Sequence, residues 1–154
     1  MEFDELVRSV QSLGTEDGLR VRFDLAQWRT LGGFMAPQTV KSGELLITQG
    51  EVDRSVYFLG QGSMQVYAGR SHGSSRLVML RPGALIGESG LFSDGPHTAS
   101  VEAMSNCVVW ALRYPRFQEL AQRSPQIALE FMRGAGSVLV TRVRQHTAGQ
   151  AAAV

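Results

Sequence analysis

At 154 residues, with 44% apolar and 19% charged side chains, the chain has the length of one domain and the make-up of a globular protein, which excludes a disordered or membrane-embedded class. A net charge of +1 gives no broad attraction to nucleic acid or to a membrane surface, and one cysteine, Cys107, excludes an internal disulfide and a cysteine-ligated iron-sulfur cluster. No apolar run approaches the roughly 18 to 20 residues that cross a bilayer, and "MEFDELVRS" lacks the basic and apolar regions of a signal peptide, so the expected location is the cytoplasm and no membrane partner is expected.

Residues 1–33 read as two helical pieces. In "FDELVRSV" the apolar Leu6, Val7 and Val10 share a face; "GTEDG" interrupts; "DLAQWRTL" then places Leu25, Trp28 and Leu31 at helical spacing before "GGF" ends it. Residues 34–113 change character to short β-rich runs about ten residues apart: "ELLITQG", "SVYFLGQG", "SMQVYAG", "SRLVMLRPG", "ALIGE", "TASVEA" and "CVVWALR". Gly, Pro, Ser and Asp bound these runs, and such regular punctuation predicts an antiparallel sandwich or barrel. "LGQGS" reads as a hairpin turn, "GRSHGSS" as a looser polar tip, and Cys107 in "CVVWAL" as a small buried hydrophobe.

Residues 114–145 return to helix. Pro115 and Pro125 stand where a first helical turn tolerates proline, the latter behind Ser124 as a cap. The last helix is expected over 125–145, with a frayed tail over 146–154. Its "RGAGS" carries two glycines, each costing about 0.8 to 1 kcal/mol against alanine, so a close helix contact within the chain or across a dimer is expected to compensate. Arg133, Arg142 and Arg144 read as a solvated helix face.

Helices, a β-rich region with a Gly-Glu loop, then a short and a long helix: in this order the chain resembles the cyclic-nucleotide-binding domain family, in particular the sensor half of catabolite-activator and Fnr-type bacterial regulators. "SGELLITQGEVDRSVYFLGQGSMQVY" resembles the opening strands, "LVMLRPGALIGESGLF" the approach to the pocket and "HTASVEAMSNCVVWAL" the exit strands, so the likeness covers about Trp28 to Gln145. It implies an α+β, mainly β, fold: an antiparallel double-stranded β-helix, or jelly-roll-like β roll, flanked by N-terminal helices and a long C-terminal helix.

The resemblance also implies a site in "GESGLFSDGPHTASV", Gly87 to Val101. A phosphate-binding cassette in this family is a short helix and loop whose N–H groups and one arginine hold the cyclic phosphate, while a glutamate holds the ribose hydroxyl. Free N–H donors at a helix start, with glycine allowing close approach, suit that task. By the match Gly87, Glu88 and Ser89 open the cassette, Glu88 is the ribose acceptor, and Leu91 and Phe92 pin the short helix to the core. Thr98 and Ala99 follow the arginine position, and Thr141 and Arg142 on the last helix are the positional candidates for contacts to the base. A carboxylate that merely caps turn N–H groups is the other reading of Glu88.

The chain departs from the pattern at His97, ten residues on from Gly87, where the family carries arginine. A neutral imidazole has no permanent charge, and losing a charged hydrogen bond of about 1.5 to 3 kcal/mol weakens binding roughly ten- to a hundredfold. Three readings of His97 stay open: a loop residue in a pocket without a nucleotide role, a weak phosphate ligand, or part of a pocket retuned for another ligand. Arg81 in "LRPG" reads as a solvated turn residue.

The function this implies is a non-catalytic ligand-sensing regulatory module, with cAMP, cGMP or another small anion as ligand and no required cofactor. The likeness also implies a homodimer through the C-terminal helix, and a regulatory role calls for a protein partner the residues do not identify. One alternative is an interaction or oligomerisation protein that keeps the fold without nucleotide binding. Another is the sensor half of a longer transcriptional regulator: nine residues follow Gln145, against the order of 60 that a winged helix-turn-helix needs, so no DNA binding by this chain alone is expected. His72, His97 and His146 offer no pair at metal-ligand spacing, which argues against a metal site and against a cupin-type enzyme.

Overall fold

The segment Val56–Gln61 is buried on both faces, and the architecture follows from what covers each one. Val56 and Phe58 belong to one apolar cluster with the helices, whereas Tyr57 and Leu59 belong to a second cluster between two sheets. The computed structural model describes residues 1–69 and 78–149, with side chains through Gln145. Its elements are α1 (Phe3–Ser12), α2 (Leu25–Gly32), β1 (Ala36–Val40), β2 (Leu45–Ile47), β3 (Val56–Gln61), β4 (Met64–Tyr67), β5 (Val78–Leu80), β6 (Leu85–Ile86), a one-turn 3₁₀ helix (Glu88–Leu91), β7 (Ser100–Ala103), β8 (Cys107–Leu112), α3 (Tyr114–Arg123) and α4 (Pro125–Gly149).

Two antiparallel four-stranded sheets, β1-β8-β3-β6 and β2-β7-β4-β5, form the expected β roll. Strand alternation divides the side chains of the first sheet between the two cores. On β8, Trp110 and Leu112 face the helices, while Cys107, Val109 and Ala111 face the other sheet, so Cys107 is the buried small hydrophobe expected of it. β1 is a strand outside the expected set. Its Pro37 lacks an N–H and masks the strand in sequence, but β1 is a sheet edge paired only with β8, where proline is tolerated.

Leu6, Val7 and Val10 of α1 and Trp28 and Leu31 of α2 are buried as their spacing predicts, and Asp24 starts α2 with a reciprocal capping box to Gln27. Leu25, by contrast, is half exposed and does not join the core face. "LGQGS" does connect β3 to β4, whereas most of "GRSHGSS" lies outside the described residues. Ser124 acts through its carbonyl, which accepts from Ile127 and Ala128, and α4 continues past the expected Gln145 to Gly149. Among the described residues no helix is long and apolar enough to cross a membrane.

Of the two glycines in "RGAGS", Gly134 is accounted for by a close contact within the chain. A Cβ on Gly134 would stand 2.7 Å from Leu19 and 2.8 Å from Val21, so glycine lets the segment between α1 and α2 lie directly on the helix. At Gly136 the nearest atom is a Phe92 ring carbon at 3.5 Å, which is ordinary contact. Around this seat Glu130 accepts from the Arg22 N–H at 2.6 Å and Arg133 donates to the Arg20 carbonyl at 3.1 Å. The fully buried Phe131 packs between Phe58 and Phe117, at 6.2 Å from each ring.

Overpacking costs about 1 to 3 kcal/mol, and for a chain of this size each kcal/mol shifts Tm by roughly 2 to 4 °C. Gly134→Leu is therefore expected to lower Tm by about 3 to 10 °C in a thermal melt. Gly136→Ala, which has room and gains helix propensity, should leave Tm unchanged or higher.

Candidate functional site

The site begins where β6 ends. Gly87 adopts φ +77, a left-handed turn that an L side chain resists, and turns the chain from Ile86 into the 3₁₀ helix. That helix rests on backbone: a Cβ on Gly90 would stand 2.8 Å from the Arg54 Cα, and Arg54 Nε donates to the Gly90 carbonyl at 2.9 Å. Leu91 is buried in the helix-side core as expected. Phe92 is 43% exposed and is not a core pin; its ring lies instead beside Gly136 of α4.

Glu88 is buried, and its carboxylate faces Arg142 of α4 across 2.7 Å. The two are distant in sequence, and only the docking of α4 brings them together. The Arg142 guanidinium also donates to Asp17 Oδ1 at 2.9 and 3.1 Å and to the Leu85 carbonyl at 2.7 Å. Burial alone would favour its neutral form, but the charges and hydrogen bonds of Glu88 and Asp17 outweigh burial and raise its pKa above the usual arginine value. One turn away, Gln145 hydrogen-bonds Glu16. Arg142 is thus no part of a solvated face: it ties the cassette, β6 and the α1–α2 connection to one point on α4.

His97 is held on both its backbone and its ring. Its N–H donates to the Glu51 carbonyl at 2.9 Å, its carbonyl accepts from Gly50 at 2.8 Å, and Nε2–H donates to the Asp53 carbonyl at 2.8 Å. The ring therefore pins the cassette loop to the segment before β3. Asp53 also accepts from the Ser55 N–H at 2.9 Å and from the Tyr57 hydroxyl at 2.7 Å. Burial, followed by this hydrogen bond and the Asp53 charge, pushes the Tyr57 pKa up to about 12.

Of the remaining expected residues, Ser89 and Ala99 are half-buried and Thr98 is exposed, all on the cassette segment with Glu88 and His97. Thr141 turns its hydroxyl back to the Ser137 carbonyl at 2.9 Å and lines a cleft of about 170 Å³ with Glu16, Gly18 and Gly134. Arg81 is exposed in its turn. Sequence reasoning missed Asp17, Asp53 and Arg54. Asp17 sits in "GTEDG", which signals only a helix break, and Asp53 meets His97 through its backbone carbonyl, for which no side-chain motif exists.

The β roll thus carries a glycine-turned 3₁₀ helix that opens on the buried Glu88, with the long α4 seated against it. The cyclic nucleotide-binding domain profile matches residues 37–124, and the chain belongs to that family. It is 34% identical over 90 residues to the cAMP-activated global transcriptional regulator CRP of Salmonella typhimurium, covering 57% of this chain and 43% of that one. It is 28% identical over 118 residues to the cAMP-dependent protein kinase regulatory subunit of Blastocladiella emersonii, covering 76% of this chain and 29% of that one. These relatives are regulators, and the chain spans half their length or less. Among solved structures, a cyclic nucleotide-binding domain from Methylobacillus flagellatus superposes with a TM-score of 0.77 at 18% identity, over 94% of this chain and 80% of that one.

Removing one partner of a buried ion pair leaves the other charge uncompensated. Because the Arg142 side chain is 24% exposed, Arg142→Met is expected to cost about 1 to 3 kcal/mol in a urea melt at neutral pH. Adding Glu88→Gln should recover part of that loss. An Arg142→Met stability equal to wild type would show that the pair contributes nothing.

Proposed function

We propose that this chain is a non-catalytic regulatory domain whose ligand, cAMP, cGMP or another small anion, engages Glu88 and the cassette in competition with Arg142. The observation that carries this reading is the 2.7 Å pair between Glu88 and Arg142. A ribose hydroxyl that uses the Glu88 carboxylate must displace or share it with the guanidinium, and Arg142 belongs to α4. Occupancy of the cassette then alters the seating of α4, provided the ligand favours the rearranged state. Paired with two carboxylates, Arg142 does not stand in for the arginine missing at 97. The anion is held by cassette N–H groups, by the neighbourhood of Ser89, Thr98 and Ala99, and by His97 once its ring leaves Asp53. Nucleotide affinity is accordingly low.

Calorimetric titration with cAMP and cGMP tests the reading. Weak saturable binding is expected for the wild type, tightened about ten- to a hundredfold by His97→Arg and abolished or strongly weakened by Glu88→Gln. The absence of any response at millimolar nucleotide in both wild type and His97→Arg would end the nucleotide version.

The exposed face of α4 favours a second, compatible reading, self-association through this helix. Leu129, Val140 and Val143 are exposed apolar residues on α4, and Leu129, Gly136 and Val143 recur every seven positions as a helix-pairing seam requires. Gly134 packs inside the chain and does not report on this contact. Val140→Glu with Leu129→Glu should convert a dimer to a monomer by light scattering, with the melting temperature retained; a mass unchanged by the substitutions would count against the seam.

A further inference from the structure

Away from the cassette, the edge strand β1 and the start of α3 border an open groove of about 550 Å³. Phe34, Met35, Ala36, Pro37 and Ala111 form apolar walls, and the polar groups that line it are Gln38 and the guanidinium-bearing Arg113 and Arg116. Among the described residues no carboxylate lines it. The two arginines are anchored, and Arg113 meets a carboxylate, Asp53, only through the Tyr57 hydroxyl. Arg113 donates to the Gln38 side-chain carbonyl at 3.0 Å, the Tyr57 hydroxyl at 3.2 Å and the Ser55 hydroxyl at 3.4 Å, all uncharged acceptors. Arg116 donates to the Gly33 carbonyl at 2.9 Å and lies over the Phe34 ring at 4.6 Å. Its ionic partner among the described residues, Glu119, lies three positions along the same helix, and both side chains are about 40% exposed, so that pair is weak and readily exchanged.

We propose that this groove is a docking surface for an acidic, partly apolar segment of a partner protein. Two guanidiniums held in place by neutral acceptors suit fork-like recognition of carboxylates, and their anchoring reduces the entropy lost on binding. The apolar walls between them ask for Leu- or Met-like side chains alongside the acids. Addition of a further β-strand is disfavoured, because Pro37 removes an edge N–H, so side chains carry the recognition. The groove also shares its base with the cassette. Arg113 is held by Ser55 and Tyr57, Tyr57 by Asp53, and the Asp53 carbonyl by His97, while the neighbouring Arg54 holds Gly90 and stacks over Tyr114 at 3.7 Å.

The test uses the full chain and a fluorescein-labelled peptide built of Asp-Glu-Leu repeats, followed by anisotropy, with the matched Lys-Lys-Leu peptide for comparison. Saturable binding of the acidic peptide is expected, weakened about tenfold by Arg116→Ala and further by Arg113→Ala with Arg116→Ala. Arg144→Ala, an exposed arginine on α4, should leave it unchanged. Arg116→Ala spares the Tyr57 network but gives up the contacts to Gly33 and Phe34, so its binding is read well below its own melting temperature. Three results would overturn the proposal: no saturable binding, equal losses from Arg144→Ala, or duplex DNA or anionic vesicles binding more tightly than the peptide with the same dependence on Arg113 and Arg116. Persistence of peptide binding in Glu88→Gln separates this surface from the ligand site.

Discussion

The placement of Arg142 is the interaction on which the arrangement of the site depends. A guanidinium that is largely removed from water has to be compensated, and here two carboxylates and a main-chain carbonyl do so. Those acceptors come from three separate parts of the chain: the α1–α2 connection, the start of β6 and the opening of the cassette. The charge on one residue of α4 therefore specifies the register of that helix against all three. The rest of α4 agrees with that register, since Gly134 admits Leu19 and Val21, Arg133 and Glu130 hold the backbone of residues 20 and 22, and Phe131 fills the space between Phe58 and Phe117. Consistency of this kind, in which each contact favours the same helix position, is what gives one packing an advantage over its neighbours.

A second constraint acts beneath the cassette. Residues 53 to 55 form a floor used from both sides, with His97 and Gly90 bound above and Arg113 bound through Ser55 and Tyr57 below. Arg54 contributes through both its guanidinium and its backbone, because Gly90 lies too close to the Arg54 Cα for any side chain. Histidine at position 97 suits this floor as a ring N–H donor to a carbonyl. The loop is thereby held in place by a side chain that lacks the permanent charge of an arginine.

Arg142 joins α4 directly to Glu88 at the opening of the cassette segment. On the function proposed above, a ligand that engages Glu88 would be linked to the position of α4 by free energy rather than by proximity. The magnitude of such a link is limited by what the ion pair contributes in its partly solvated setting, which is modest. Modest coupling would suit the reversible regulation proposed for this chain.

Much of the fold was legible in the chain itself. Leu6, Val7 and Val10 at helical spacing, Asp24 before an apolar run with Gln27 three residues on, and β-rich runs separated by Gly and Pro state their local structure, because helix and strand periods are properties of the backbone. The cassette was legible for a similar reason, as Gly87, Glu88 and Gly90 are near neighbours. β1 was hidden by Pro37, whose acceptability depends on standing at a sheet edge. Leu25 and Phe92 look like core residues by type, but the packing leaves both exposed. What the sequence by itself determined was most of the elements, β1 excepted, and the residue types of the loop. Only the tertiary structure decided that Arg142 pairs with Glu88 and Asp17, that His97 turns to Asp53 and that Arg113 and Arg116 flank one groove. Those facts join residues far apart along the chain, and no local period or spacing records which distant surfaces meet.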